Sequence, residues 1–325
     1  MSSLLDPAIL FFVFGILAGF ARSNLEVPPQ IARFLSLYLL MALGLKGGFA
    51  LARTGLTAEV AVSLGLALLL ATLVPALGWL LLRRWLNGYD AAAVAATYGS
   101  VSAVTFITAV QYLDHNGIAH GGHMAAALAL MESPAIIMAV ALANAARRRD
   151  PARAASGTVV PQTSLRHLLH ESFTDGAQLL LLGSMLVGLL SGETGRAAME
   201  PFSGELFKGM LSFFLLDMGL QAARSMGGLK GRSPMLLAYA VLAPLVHAAI
   251  ALALAVACNL PPGDAALLMC LAASASYIAV PAVVRHAIPE AQPALYFGMS
   301  LGMTFPLNIL LGIPLYTALA QRALG

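Results

Sequence analysis

Two hydroxyl-rich clusters, Gly99-Ser100-Val101-Ser102 and Ala273-Ser274-Ala275-Ser276, stand 174 residues apart in otherwise apolar stretches. Serine oxygens can ligate a small hard cation or exchange hydrogen bonds with an anion. A Ser-x-Ser pair without a partnered base is not a nucleophile arrangement, so the chemistry on offer is binding rather than covalent catalysis. Thr105 follows Ser102 at the stage where a second helical segment would open. Pro281 follows Ser276 in the same way, and proline is favoured at the first position of a helix. Small residues also let membrane helices pack closely, but the matched position and spacing of the two clusters favour a site.

The clusters belong to a duplicated segment. Asp90–Gln111 (DAAAVAATYGSVSAVTFITAVQ) aligns without a gap on Asp264–Arg285 (DAALLMCLAASASYIAVPAVVR), placing Asp90 on Asp264, Ser100 on Ser274 and Ser102 on Ser276. A span interrupted at corresponding points of two halves points to a transporter's binding site. Bilayer hydrocarbon offers a broken backbone no partner, so such breaks must line a cavity or be buried in protein. The N-terminus of each new half-helix suits an anion. The freed carbonyls and the serine oxygens suit a cation such as sodium. Spans crossing at their breaks would bring Ser100, Ser102, Thr105, Ser274 and Ser276 together near the midplane. That set describes a site for a small, well-hydrated anion with a co-bound cation.

Ionisable groups inside spans are costly and each needs a reason. Glu132, in Met131-Glu132-Ser133-Pro134, is a candidate cation ligand or proton-coupling group. Asp217, in Leu216-Asp217-Met218-Gly219, is a second candidate without an acidic counterpart in the first half. Ser300, Thr304 and Asn308 of the last span complete the candidate cation ligands. Lys46 lies close enough to a span end to snorkel, and His247 reads as a core histidine. His115, His120 and His123 share a loop, but their spacing is a weak metal signal. No G-x-S-x-G, Walker A, H-E-x-x-H or dinucleotide fingerprint is present, so no enzyme is expected.

The elements that must position these groups are membrane helices. Of 325 residues, 59% are hydrophobic and only 10% charged, with a mean hydropathy of +0.84; soluble domains carry about 25% charged residues. Apolar runs predict ten spans at about 7–22, 31–52, 57–82, 90–112, 121–146, 175–191, 204–223, 233–258, 264–284 and 293–321. No signal peptide is read at the N-terminus. Cys258 and Cys270 are expected to be buried free thiols. Asp6, Gly19 and Pro75 recur as Asp175, Gly188 and Pro244, and Pro134 recurs as Pro306. Five spans written twice is an odd number per unit, so the second unit must be inverted. The fold expected is an all-α polytopic membrane protein of two inverted five-helix repeats, 1–146 and 169–325, with helices four and nine discontinuous. The basic polar stretch 147–168 joins them. Thirteen of the 18 basic residues follow odd-numbered spans, densest at Arg147–Arg149. The positive-inside rule then puts the linker in the cytoplasm and both termini outside, in an inner or plasma membrane.

At these residues the chain resembles the sodium-dependent bicarbonate permeases of the SbtA type, over nearly its whole length. The likeness runs through GLKGG at Gly44–Gly48, GSVSAVT at Gly99–Thr105, MESPA at Met131–Ala135 and AASASYIAVP at Ala272–Pro281. It continues through Ile288-Pro289, Pro293, Tyr296, Gly298, Ser300 and Pro306. The resemblance implies symport of sodium with bicarbonate, an elevator-like motion, a homotrimer and a cytoplasmic PII-like regulatory partner. It implies no cofactor beyond sodium as the coupling ion. Three residues depart from the family pattern. Tyr277 stands where the family has an acid, Ala275 where it has its middle serine, and Asp217 where the cyanobacterial form has an apolar residue. The linker is also shorter than the family's. The alternatives are a cation-coupled carrier of another small anion or organic acid, with proton coupling through Glu132 or Asp217 as one form of it, or a membrane sensor with a degenerate site.

Overall fold

In the computed structural model, residues 6–55, 57–148, 176–229 and 231–325 are described. The linker beyond Arg148 and the expected repeat residue Asp175 lie outside them. The described residues form helices joined by short loops, with no strand among them. The helices are α1 (Pro7–Phe20), α2 (Pro29–Thr54), α3 (Ala58–Leu82), α4 (Gly88–Gly99), α5 (Ala103–His115) and α6 (Met124–Arg148). They continue with α7 (Gly176–Glu200), α8 (Leu206–Ser225), α9 (Pro234–Ala257), α10 (Pro262–Ala273), α11 (Ala279–Ala287) and α12 (Pro293–Leu324). Seven stretches are long and apolar enough to cross a membrane.

Local chemistry starts and ends these helices. Proline opens α2, α9, α10 and α12, where its missing N–H would have no partner anyway. Asn87 caps α4, its Oδ1 accepting from Tyr89 N at 3.0 Å and Asp90 N at 2.8 Å. Within α12, two stretches, Gly298–Thr304 and Asn308–Gly312, widen to π geometry on either side of Pro306, which cannot donate to the ladder. The expected sixth span stops at 191, and the chain breaks there: Gly192 (φ 55°, ψ −140°) is non-helical, so Gly176–Glu200 is two helical pieces joined at a kink, the first ending where apolarity ends.

The helices sort into two bundles. In the first, α1 packs along α8 and α2 along α7. Their contact needs glycine: a Cβ on Gly48 would strike the Met185 carbonyl and lie 2.7 Å from Leu189 N. Gly15 against Leu216 and Gly219 against Phe12 do the same for α1 and α8. In the second bundle α3, α4 and α6 contact one another, as do α9, α10 and α12. The halves of this bundle are tied crosswise. Buried Asp90, at the start of α4, accepts the Gln292 N–H at 2.8 Å, at the threshold of α12. Buried Asp264, at the start of α10, accepts the Gly121 N–H, just before α6. At the other end of α6, Arg147 meets Glu290 at 3.1 Å and donates to the Ala287 carbonyl at 2.6 Å. Of the two cysteines, both free, Cys270 is buried as expected. Cys258 is exposed, because it falls at the C-terminal end of α9 rather than within it.

Candidate functional site

Both expected breaks are present. Between α4 and α5, Ser100 is extended (φ −93°, ψ 179°) and Ser102 (φ −103°, ψ 110°) caps α5, its Oγ accepting from Thr105 N at 3.2 Å. Helix α4 stops hard against Pro75 of α3: a Cβ on Gly99 would sit 2.5 Å from the proline ring. Between α10 and α11, Ser274 is extended (φ −80°, ψ 166°), and Ser276 Oγ accepts from Val280 N at 3.4 Å. Pro281 was expected to open α11. The helix instead begins at Ala279, so Pro281 occupies its first turn, where an N–H is still not needed.

The breaks meet and exchange hydrogen bonds. Ser102 N–H donates to Ser274 Oγ at 3.0 Å, and Ser276 N–H donates to the Thr97 carbonyl at 2.9 Å. Ser102 Oγ donates to the Tyr277 hydroxyl at 3.4 Å, and Ser274 Oγ to the Leu271 carbonyl at 2.8 Å. Ser100, Ser102, Thr105, Ser274 and Ser276 are all buried, none more than 4% exposed. Other helices therefore sheathe the interrupted backbone, as hydrocarbon requires. Two hydroxyls of this set, Ser100 Oγ and Thr105 Oγ1, are buried with no hydrogen-bond partner among the described residues. Buried polar groups are rarely left so, because each costs its desolvation. The site thus brings together two unused hydroxyls, the N-termini of α5 and α11, and the C-terminal carbonyl ends of α4 and α10.

The groups expected to hold a cation occupy several places. Asn308 braces a break: its Nδ2 donates to the Ala273 carbonyl at 2.8 Å, and its Oδ1 accepts from Tyr316 at 2.9 Å. Thr304 Oγ1 lies 2.6 Å from the Tyr98 hydroxyl and donates to the Ala240 carbonyl at 2.7 Å, joining α12 to α4 and α9. Ser300 bonds back to Tyr296 O at 2.7 Å. Glu132 of α6 accepts from Gln178 of α7 at 2.7 Å, across the divide between the bundles. Asp217 of α8 is buried, accepts from Gln221 at 2.7 Å and lies within electrostatic reach of Tyr277. Two residues that depart from the family pattern, Tyr277 and Asp217, are thus both buried and within electrostatic reach of each other. His247 is buried edge-on to Tyr98. Among the described residues no cluster of metal-ligating side chains forms at the histidines or elsewhere.

Thr97 was missed in the sequence. Its contribution is a backbone carbonyl, which leaves no side-chain signal. Tyr98 was missed because its role depends on Thr304, 206 residues away.

A family model described as the Na+-dependent bicarbonate transporter superfamily matches residues 7–321. No curated protein matches the chain. The matched stretch covers nearly the whole length, and the chain belongs to that superfamily. It is a multi-pass membrane protein of a transporter family, not an enzyme.

Proposed function

From that membership we propose that the chain carries bicarbonate by symport with sodium, binding both where the two broken helices meet. The observation that carries this reading is the exchange between the breaks. Ser102 and Ser276 each give a backbone N–H to the opposite break, while Ser100 Oγ and Thr105 Oγ1 remain unpartnered. The N-termini of α5 and α11 then face the anion, and the carbonyl ends of α4 and α10 with the serine oxygens face sodium.

On this reading the chain crosses an inner or plasma membrane ten times as two inverted five-helix repeats, both termini outside. The bundle holding the breaks moves, elevator-like, against the bundle of α1, α2, α7 and α8. The pairing of α1 with α8 and of α2 with α7 supports this, because an axis exchanging the repeats would turn one contact into the other. A homotrimer and a cytoplasmic PII-like partner follow from the likeness stated above and form part of the proposal.

The test is uptake of labelled bicarbonate into proteoliposomes under a sodium gradient, with choline and a pH gradient as alternatives. Sodium-driven uptake is expected. Uptake driven by pH alone would favour the second reading, proton coupling at Asp217, which its burial within electrostatic reach of Tyr277 supports.

A further inference from the structure

A cavity of about 340 Å³ lies between the two bundles, lined by none of the hydroxyl residues of the breaks. A water molecule takes up about 30 Å³ in the liquid, so the cavity holds a small anion and several of its waters. Lys46 and Arg53 of α2 and Arg196 and Glu200 of α7 line one wall; Asp114 and His120 of the second bundle line the other. Phe106, the residue after Thr105, lines the same cavity, so α5 runs from it to the broken-helix site.

The charges here are unevenly committed. Arg196 is taken by Glu193, and Glu200 stands near it. Asp114 is 3.0 Å from His120 Nε2 and 3.6 Å from Lys46 Nζ. Lys46 also lies 4.5 Å above the Phe207 ring. Arg53 has no carboxylate within ion-pair distance among the described residues, and Glu193 is in electrostatic reach of it. Lys46 is 29% exposed and Asp114 42%, and ion pairs this exposed are worth little. An incoming anion can therefore take the Lys46 ammonium from Asp114. His120 adds an acceptor: with Nε2 donating to the Asp114 carboxylate, neutral imidazole keeps a lone pair on Nδ1, which is buried without a partner.

We propose that this cavity is a second, outer anion subsite, selective for a small oxyanion that also carries a hydroxyl. Lys46 and Arg53 donate to its charged oxygens, and His120 Nδ1 accepts its O–H. Hydrogen carbonate has both kinds of group, whereas nitrate has no donor. The ligand class rests on the transport reading above. The subsite also spans the divide between the bundles, so the anion takes over a contact, Lys46–Asp114, that would otherwise tie them.

The test uses Ala119→Cys, an exposed position on the cavity, in a Cys258→Ser background with buried Cys270 retained. Anionic and cationic methanethiosulfonates of like size are compared, each normalised to its rate with a free thiol. The anionic reagent is expected to react about tenfold faster, the scale on which charged clefts concentrate ions. Bicarbonate should slow that reaction and nitrate should not. Lys46→Gln should bring the ratio near unity, and Lys46→Arg should keep it. Equal rates in the unaltered cavity, or a ratio untouched by Lys46→Gln, overturns the subsite; equal protection by nitrate overturns its selectivity. Protection by bicarbonate should persist in Ser102→Ala and Ser276→Ala, and its loss there would mean that only the inner site binds. If the chain transports no bicarbonate, the labelling ratio still decides the cavity while the transport reading alone falls.

Discussion

Ser102 and Ser276 each serve the site twice, through a backbone N–H that reaches the opposite break and a hydroxyl that holds the start of the next half-helix. Replacing either with alanine removes the hydroxyl and leaves the N–H. The loss of one hydrogen bond in a desolvated site costs about 1–3 kcal/mol, or roughly 5- to 150-fold in affinity. Ser102→Ala and Ser276→Ala should raise the apparent Kd for bicarbonate in that range. Ser63→Ala, in a buried position of α3, is the control, and equal damage from it would reduce the effect to packing. The acids divide differently. A unit charge about 4 Å from an ion is worth ~4 kcal/mol at an effective dielectric of about 20. Whichever carboxylate neighbours sodium should therefore shift its apparent affinity by orders of magnitude when neutralised. Glu132, within the family-like MESPA motif, is expected to be that group, so Glu132→Gln should weaken sodium activation while the protein stays folded. Unchanged sodium activation in Glu132→Gln together with its loss in Asp217→Asn would move the coupling to buried Asp217.

At the scale of elements, the glycines of α2 decide how near α7 can come. Gly48→Leu would drive a side chain into the Met185 carbonyl, and overpacking of this kind costs about 1–3 kcal/mol or more. A lower unfolding midpoint in detergent is expected, while Gly65→Ala, with open space around its Cβ, should leave the midpoint unchanged. Interrupted helices were legible in the sequence because both copies change from apolar to hydroxylated at the same point. Most helix positions were legible too, since a bilayer demands long apolar runs. What was not legible depends on distance in space. The meeting of Glu132 with Gln178, the bracing of Ala273 by Asn308 and the cavity over Lys46 join residues from separate helices. Span edges moved where capping set the boundary instead of hydropathy, as at Asn87, which opens α4 at Gly88 rather than at 90.

For the whole molecule, the distribution of basic residues predicts which way the chain faces. Reporter fusions at Arg153 and after Gly325 should give opposite signals, inside and outside respectively; one compartment for both would sink the inverted arrangement. The crosswise ties bear on how such a chain is made. The ribosome delivers α1 and α2 long before α8 and α7, their packing partners, exist. The loop before α6 likewise waits for Asp264, 143 residues later, to take the Gly121 N–H. The early half therefore enters the membrane with its glycine faces and a loop amide unmatched, and only the later half completes it. Synthesised alone, the first half should be degraded; synthesised beside the second as a separate chain, it should accumulate, because α7, α8 and Asp264 are then there to meet it.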